Sequence, residues 1–344
     1  MQSSPKGRNL VFIVSQPRSG STLLQQMMGV HPNIHTASEP WLMLPPIYAL
    51  RSEGVETEYN AQWAHSAITS FLKGLPDGRE EYIQGLRRMY QGLYNHALQD
   101  TRASIFVDKT PRYYLILPEL RRVFPEAKFI LLVRHPMAVL SSMLDAWVGD
   151  AWLTLARFRI DLLEAPGLLL RGRTDLGDKA SYVRYEDLVG APFEEMRRLC
   201  RHVGVEFYPG MVRYGESERS QFAYGDQQTV YERSKPTPEF TEAWKHRAGC
   251  PQHWELLSDY ARELGPECFK ALGYDYADSL RILNEKRPSA AARGLVFSLS
   301  QLTECPPQDR SRWMHRLVRA AHHVRQTGIW GLAKYAARGL NLSS

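Results

Sequence analysis

Residues 15–24 read SQPRSGSTLL, and their types suit the holding of an oxyanion. Gly20 permits a tight backbone turn, Ser21 and Thr22 open a helix and add hydroxyl donors, and the helix start points several N–H groups at one spot. Arg18 brings a cation. The ligand expected there is a phosphate or a sulfate. The loop is not the GxxxxGK[ST] loop of nucleotide hydrolases, because Ser21 rather than lysine follows the glycine. Further along stand Arg134 and, eight residues later, Ser142. A guanidinium fork beside a hydroxyl suits a dianionic phosphate.

These groups need strand ends and helix starts to carry them. Leu10 to Ser15 is an apolar run ending at the loop, as a buried parallel strand does, and Thr22 to Val30 continues as a helix. Ser104 to Val107 and Ala180 to Arg184 read as further strands. Lys128 to Val133 is the clearest strand; it delivers Arg134 to a helix begun by Pro136, with Val139, Leu140, Met143, Leu144 and Trp147 on its buried face. Short helices are expected near Pro118 to Phe124 and from Phe193 to Val203. The alternation predicts an α/β fold, a doubly wound parallel sheet with ligands at the carboxyl ends of its strands. Arg51 to Asp100 reads as a helical insertion covering the site.

With 344 residues, 44% of them hydrophobic and 23% charged, the chain can bury a large core. The net charge of +6 is local: from Arg310 onward there are seven Lys or Arg and no acid, and without them 36 basic residues face 37 acidic ones. The sequence beyond residue 276 therefore reads as a linker, 277 onward, and a basic helical C-terminal tail. Its apolar face of Trp313, Leu317, Ala320, Ala321 and Val324 would either pack on the body or lie on an anionic membrane. The apolar run near the N-terminus is too short for a signal or a membrane span, so cytoplasm is the default location. Cys200, Cys250, Cys268 and Cys305 show no metal-ligand spacing and read as thiols, a Cys250 to Cys268 bridge being the alternative in an exported protein.

The PRSGST loop closely resembles the 5′-phosphosulfate loop of sulfotransferases that use 3′-phosphoadenosine 5′-phosphosulfate (PAPS). LLVRHPMAVLSS, with Arg134 and Ser142, resembles their 3′-phosphate motif. VRYEDL, containing Tyr185, resembles a strand-to-helix unit of the family, and ALGYD at 271–275 its C-terminal signature. GDQQTVYERSKP with Trp244 and Lys245 resembles the loop that closes over the nucleotide, with Lys235 as a phosphate contact. The resemblance covers residues 8–276. The run Arg18, His31, Pro32, Glu39 is similar to the tyrosylprotein and bacterial branch, in which an acidic residue ends the second strand. The cytosolic branch has a catalytic histidine in KTHxP, whereas this chain has Lys109-Thr110-Pro111-Arg112.

The resemblance implies in-line sulfuryl transfer from PAPS to an acceptor hydroxyl without a metal. Glu39 would be the base, Arg18 and Lys109 would neutralise the sulfuryl oxygens and the leaving 5′-phosphate, and Ser19, Gly20, Ser21 and Thr22 would hold that phosphate. Asp108 and His35 are rival bases. Singly, each residue has a plainer reading: a surface arginine, a helix serine, a cap near Pro40. A P-loop kinase with Asp108 on magnesium is the main rival function, and a non-catalytic nucleotide-binding protein the third. A glycan or lipid acceptor is favoured over a phenol or a peptide.

Overall fold

The computed structural model describes residues 6–149, 151–216, 233–289 and 296–303. The basic tail, Cys305 and most of the GDQQTVYERSKP loop lie outside them.

Five strands form one parallel sheet: β1 (Leu10–Ser15), β2 (Ile34–Ser38), β3 (Ile105–Lys109), β4 (Lys128–Val133) and β5 (Ala180–Arg184), in the order β2-β3-β1-β4-β5. The apolar runs of β1 and β4 are continuous because both sheet faces are covered. Leu10, Phe12 and Val14 enter one core with Phe129, Leu131 and Val133, while Val11 and Ile13 enter the other with Ile130 and Leu132. The first face is roofed by α4 (Arg79–Gln99), α5 (Leu117–Val123), α6 (Pro136–Met143), α7 (Ala165–Leu176) and the helix Pro251–Leu272. The second carries α1 (Ser21–Gly29), α8 (Tyr185–Gly190) and α9 (Pro192–Val203). The sheet is thus doubly wound.

Three strands run as the sequence indicates. The strand expected over Ser104 to Val107 is Ile105–Lys109, so that its end carries Asp108 and Lys109. The 51–100 stretch is helical, with α2 (Leu44–Tyr48) before it and α3 (Ala61–Lys73) capped by the Asn60 side chain, which accepts from the Trp63 amide. It does not cover the site. The apolar face of α4, with Ile83, Leu86, Tyr90 and Tyr94, is committed to the sheet, and no residue of 51–100 lines the cavity described below. A second correction concerns Trp147. Beyond Met143 the helix widens into a π turn, Leu144–Val148, which breaks the periodicity expected of it. Trp147 therefore leaves the buried face and is 40% exposed.

Irregular helix continues through a 3-10 segment, Trp152–Phe158, and a second π turn, Ile160–Glu164. Cys200, Cys250 and Cys268 are free thiols. None of the described helices is long and apolar enough to cross a membrane.

Candidate active site

β1 leads to β2 on one side of the sheet and its neighbour β4 leads to β5 on the other, so the connections part between β1 and β4 and a crevice opens beyond the strand ends. The cavity there measures about 860 Å³. Every strand contributes to its wall from its carboxyl end: Arg18, Gly20, Ser21 and Thr22 after β1, Glu39 and Trp41 after β2, Pro111 and Arg112 after β3, Arg134 and Ser142 after β4, and Tyr185 after β5.

The backbone at this wall is unusual. Among the described residues, the non-glycine positions with left-handed φ are Arg18 (67°), Glu39 (52°) and Trp41 (55°), and all three line the cavity. Each such position costs about 1–3 kcal/mol and persists only where the surroundings impose it. Gly20, at φ 93°, caps α1, and a Cβ there would stand 2.4 Å from the Tyr185 ring. The loop needs glycine for both reasons.

Arg134 ties three segments together. One terminal nitrogen donates to the Arg18 carbonyl at 3.0 Å and the other to the Phe240 carbonyl at 2.6 Å, while the guanidinium lies 4.5 Å from the Tyr185 ring centroid. Its Nε is buried with no hydrogen-bond partner, as is Ser19 Oγ. Burial pushes the Arg134 guanidinium below its ordinary range. Arg18 Nε in turn donates to Ser142 Oγ at 3.1 Å, across 124 residues of sequence.

The register that pairs Ser38 with Lys109 puts Glu39 at the mouth of β3. The Glu39 amide donates to the Lys109 carbonyl at 2.7 Å, and Lys109 Nζ donates to Glu39 Oε1 at 2.9 Å. The lysine side chain is 0% exposed and the glutamate 19%, so the carboxylate is the half of the pair that meets the cavity.

Neither rival carboxylate nor imidazole shares that position. Asp108 accepts from Tyr94 at 2.6 Å, Thr110 at 2.7 Å and Tyr113 at 3.1 Å, and is buried behind them. Burial pushes its carboxyl up to about 6. His35 lies 5.7 Å from the Phe106 ring, its imidazole pushed down by burial, and neither residue lines the cavity.

Residues 10–209 match the model of the sulfotransferase family, running from β1 to just past α9. The chain belongs to the sulfotransferase family. It is 29% identical over 296 residues to the nodulation protein NoeE of Sinorhizobium fredii, covering 77% of this chain and 66% of that one. It is 26% identical over 216 residues to protein-tyrosine sulfotransferase 1 of Danio rerio, covering 61% and 57%. The chain thus spans about three fifths of the length of these curated relatives. Among solved structures, a sulfotransferase domain from the curacin biosynthetic pathway aligns with a TM-score of 0.47 and 22% identity over 68% of this chain and 89% of that domain.

In this family member the cavity gathers Arg18, Gly20, Ser21, Thr22, Glu39, Arg134, Ser142, Tyr185 and Lys235. Two of the expected site residues stand off the wall. Lys109 reaches it through Glu39, and Ser19 is fully buried, leaving its main-chain amide as the group it can offer. Sequence reasoning did not find Trp41, Trp147, Phe158 or Arg233 on the wall, nor a role for Arg112. Arg112 donates to Asp161 at 2.8 and 2.7 Å, and that buried carboxylate also accepts from Tyr114 at 2.5 Å.

Proposed function

We propose that the chain transfers a sulfuryl group from PAPS to an acceptor hydroxyl, of a glycan or lipid in preference to a phenol or peptide. The observation that carries this is the meeting of the two anion motifs: Arg18 bonds Ser142, and Arg134 bonds the Arg18 carbonyl. A loop for one phosphate and a fork for another form one site, which suits a nucleotide phosphorylated at both 5′ and 3′ positions. The orphaned Arg134 Nε fits such a ligand, because a buried polar atom without a partner marks a site that an additional group completes. A 3′-phosphate would also offset the cost of burying the Arg134 charge.

Ser21, Thr22 and the α1 start would hold the 5′-phosphate, and Arg134, Ser142 and Lys235 the remainder of the nucleotide's charge. When bound, PAPS supplies an activated sulfuryl group with a bisphosphate leaving group. Glu39 takes the proton of the acceptor hydroxyl as that oxygen bonds to sulfur. Until then Glu39 neutralises Lys109; once protonated, it leaves a buried ammonium whose positive charge appears as negative charge passes to the leaving phosphate. Burial strengthens the effect. The kinase reading finds less support, since the Asp108 carboxylate that would hold magnesium is engaged by three hydroxyls.

Thermal-shift titration tests the donor assignment. Adenosine 3′,5′-bisphosphate should stabilise the protein far more than ATP, and Arg134→Ala should weaken its binding by about 2–3 kcal/mol, Ser142→Ala by less. Equal stabilisation by ATP, dependent on magnesium, would return the kinase reading.

A further inference from the structure

We propose that the acceptor half of the cavity is built for an uncharged sugar ring, gripped through its C–H face by Trp41. The inference rests on the transfer reading above and specifies its acceptor.

The two tryptophans are 37% and 40% exposed, and both line the cavity. Each is held in place. The Arg112 guanidinium lies 5.6 Å from the Trp41 ring centroid, and that of Arg18 5.6 Å from Trp147. Phe158 stacks on Trp147 with centroids 4.9 Å apart and planes 29° apart. Arg112 is itself clamped by Asp161, so the anchor of Trp41 runs into the core. Fixed aromatic faces bind without the entropy cost of ordering a loose side chain. Trp41 has a second duty. Its indole N–H donates toward Glu39 Oε2 at 3.4 Å, which joins the ring that would carry the acceptor to the carboxylate that would take its proton.

Charge and polarity then decide among acceptor classes. Arg18 aside, the charges around these rings are matched in pairs: Arg112 with Asp161, Lys109 with Glu39, and Asp145 with Arg247 at 3.2 Å. An acidic peptide requires surplus cations beside the rings, whereas Arg112 and Lys109 are committed to acids and Arg18 is bonded to Ser142. A fatty chain requires apolar lining throughout, whereas Glu39, Arg112 and Asp145 share the wall with the rings. Flat apolar faces bordered by hydrogen-bonding groups match a molecule with apolar faces and hydroxyl edges, which describes a pyranose.

The test follows tryptophan fluorescence as the protein, with and without adenosine 3′,5′-bisphosphate, is titrated with neutral tetrasaccharides of glucose, galactose, mannose and N-acetylglucosamine. An acidic tyrosine peptide and a long-chain alcohol are titrated in parallel. At least one sugar should bind saturably, and Trp41→Ala should weaken it by about 10-fold or more. Trp41→Phe keeps the ring but loses the N–H, so it should bind that sugar within about threefold of the parent while lowering kcat for its sulfation. Nucleotide affinity checks that both variants are folded. Binding of the peptide or alcohol but no sugar, no binding of any sugar, or unchanged sugar binding in Trp41→Ala would each overturn the proposal. Failure of the bisphosphate alone to bind would sink the transfer reading instead, and the titrations without nucleotide would still decide the platform.

Discussion

Lys109 is entirely buried, and the Glu39 carboxylate pairs with its ammonium at 2.9 Å. That pairing makes Glu39→Gln informative, because the amide keeps size and loses basicity. Acceptor-dependent turnover should fall by roughly 100-fold or more, with adenosine 3′,5′-bisphosphate binding nearly unchanged. Parental turnover would dismiss Glu39 as the base. Asp108, also at the end of β3, makes a different prediction. Burial, against the pull of three hydroxyls and Lys109, raises its carboxyl from 3.8 to about 6. Between those values the native state holds a proton that the unfolded chain has released. The group therefore favours folding at acid pH, and that contribution is lost as pH rises through about 6. Asp108→Asn removes the dependence. In denaturant titrations at about pH 4 and about pH 7, the variant should gain on the parent toward the higher pH by up to about 3 kcal/mol. Parallel responses would mean that the native carboxyl is not raised.

At the scale of elements, the loop between β1 and α1 depends on a close approach. Gly20→Ala sets a Cβ against the Tyr185 ring and demands a positive φ, so it should cost about 1–3 kcal/mol in thermal unfolding and also weaken nucleotide binding. Stability and affinity equal to the parent would show that the loop can relax. The loop itself was legible in the sequence, as were β1, β4 and β5, because each anion motif is contiguous and each strand feeds it directly. β2 was not legible from its residues. IHTAS is a half-exposed edge strand with no apolar run, and only the resemblance implied a strand before Glu39. The π and 3-10 segments after α6 also escaped, since a pattern read at 3.6 residues per turn misplaces Trp147 once the helix widens. Trp41 and the Arg112–Asp161 pair were hidden for another reason. They work through contacts between segments 49 residues or more apart, or through a backbone angle, and neither leaves a local motif.

Across the whole molecule, the near-neutral balance of the chain before Arg310 contrasts with the seven cations that follow. Each basic residue near an anionic surface contributes about 1 kcal/mol. Flotation with anionic liposomes should retain the full chain at low salt and release it at high salt, while a chain ending at Thr303 should not float. That end point keeps Phe297, whose amide and carbonyl bond Gln252, and the buried Leu299 and Leu302. Equal behaviour of the two chains would assign the tail a structural role. The cavity wall is divided between two kinds of element. The groups proposed to hold anions ride on strand ends, on the start of α1 and, for Ser142, on the last turn of α6, whereas Trp147 and Phe158 ride on the least regular helical turns. On the proposed assignment, substitutions in those irregular turns could change which acceptor is taken while the strand ends that would hold the donor stay as they are.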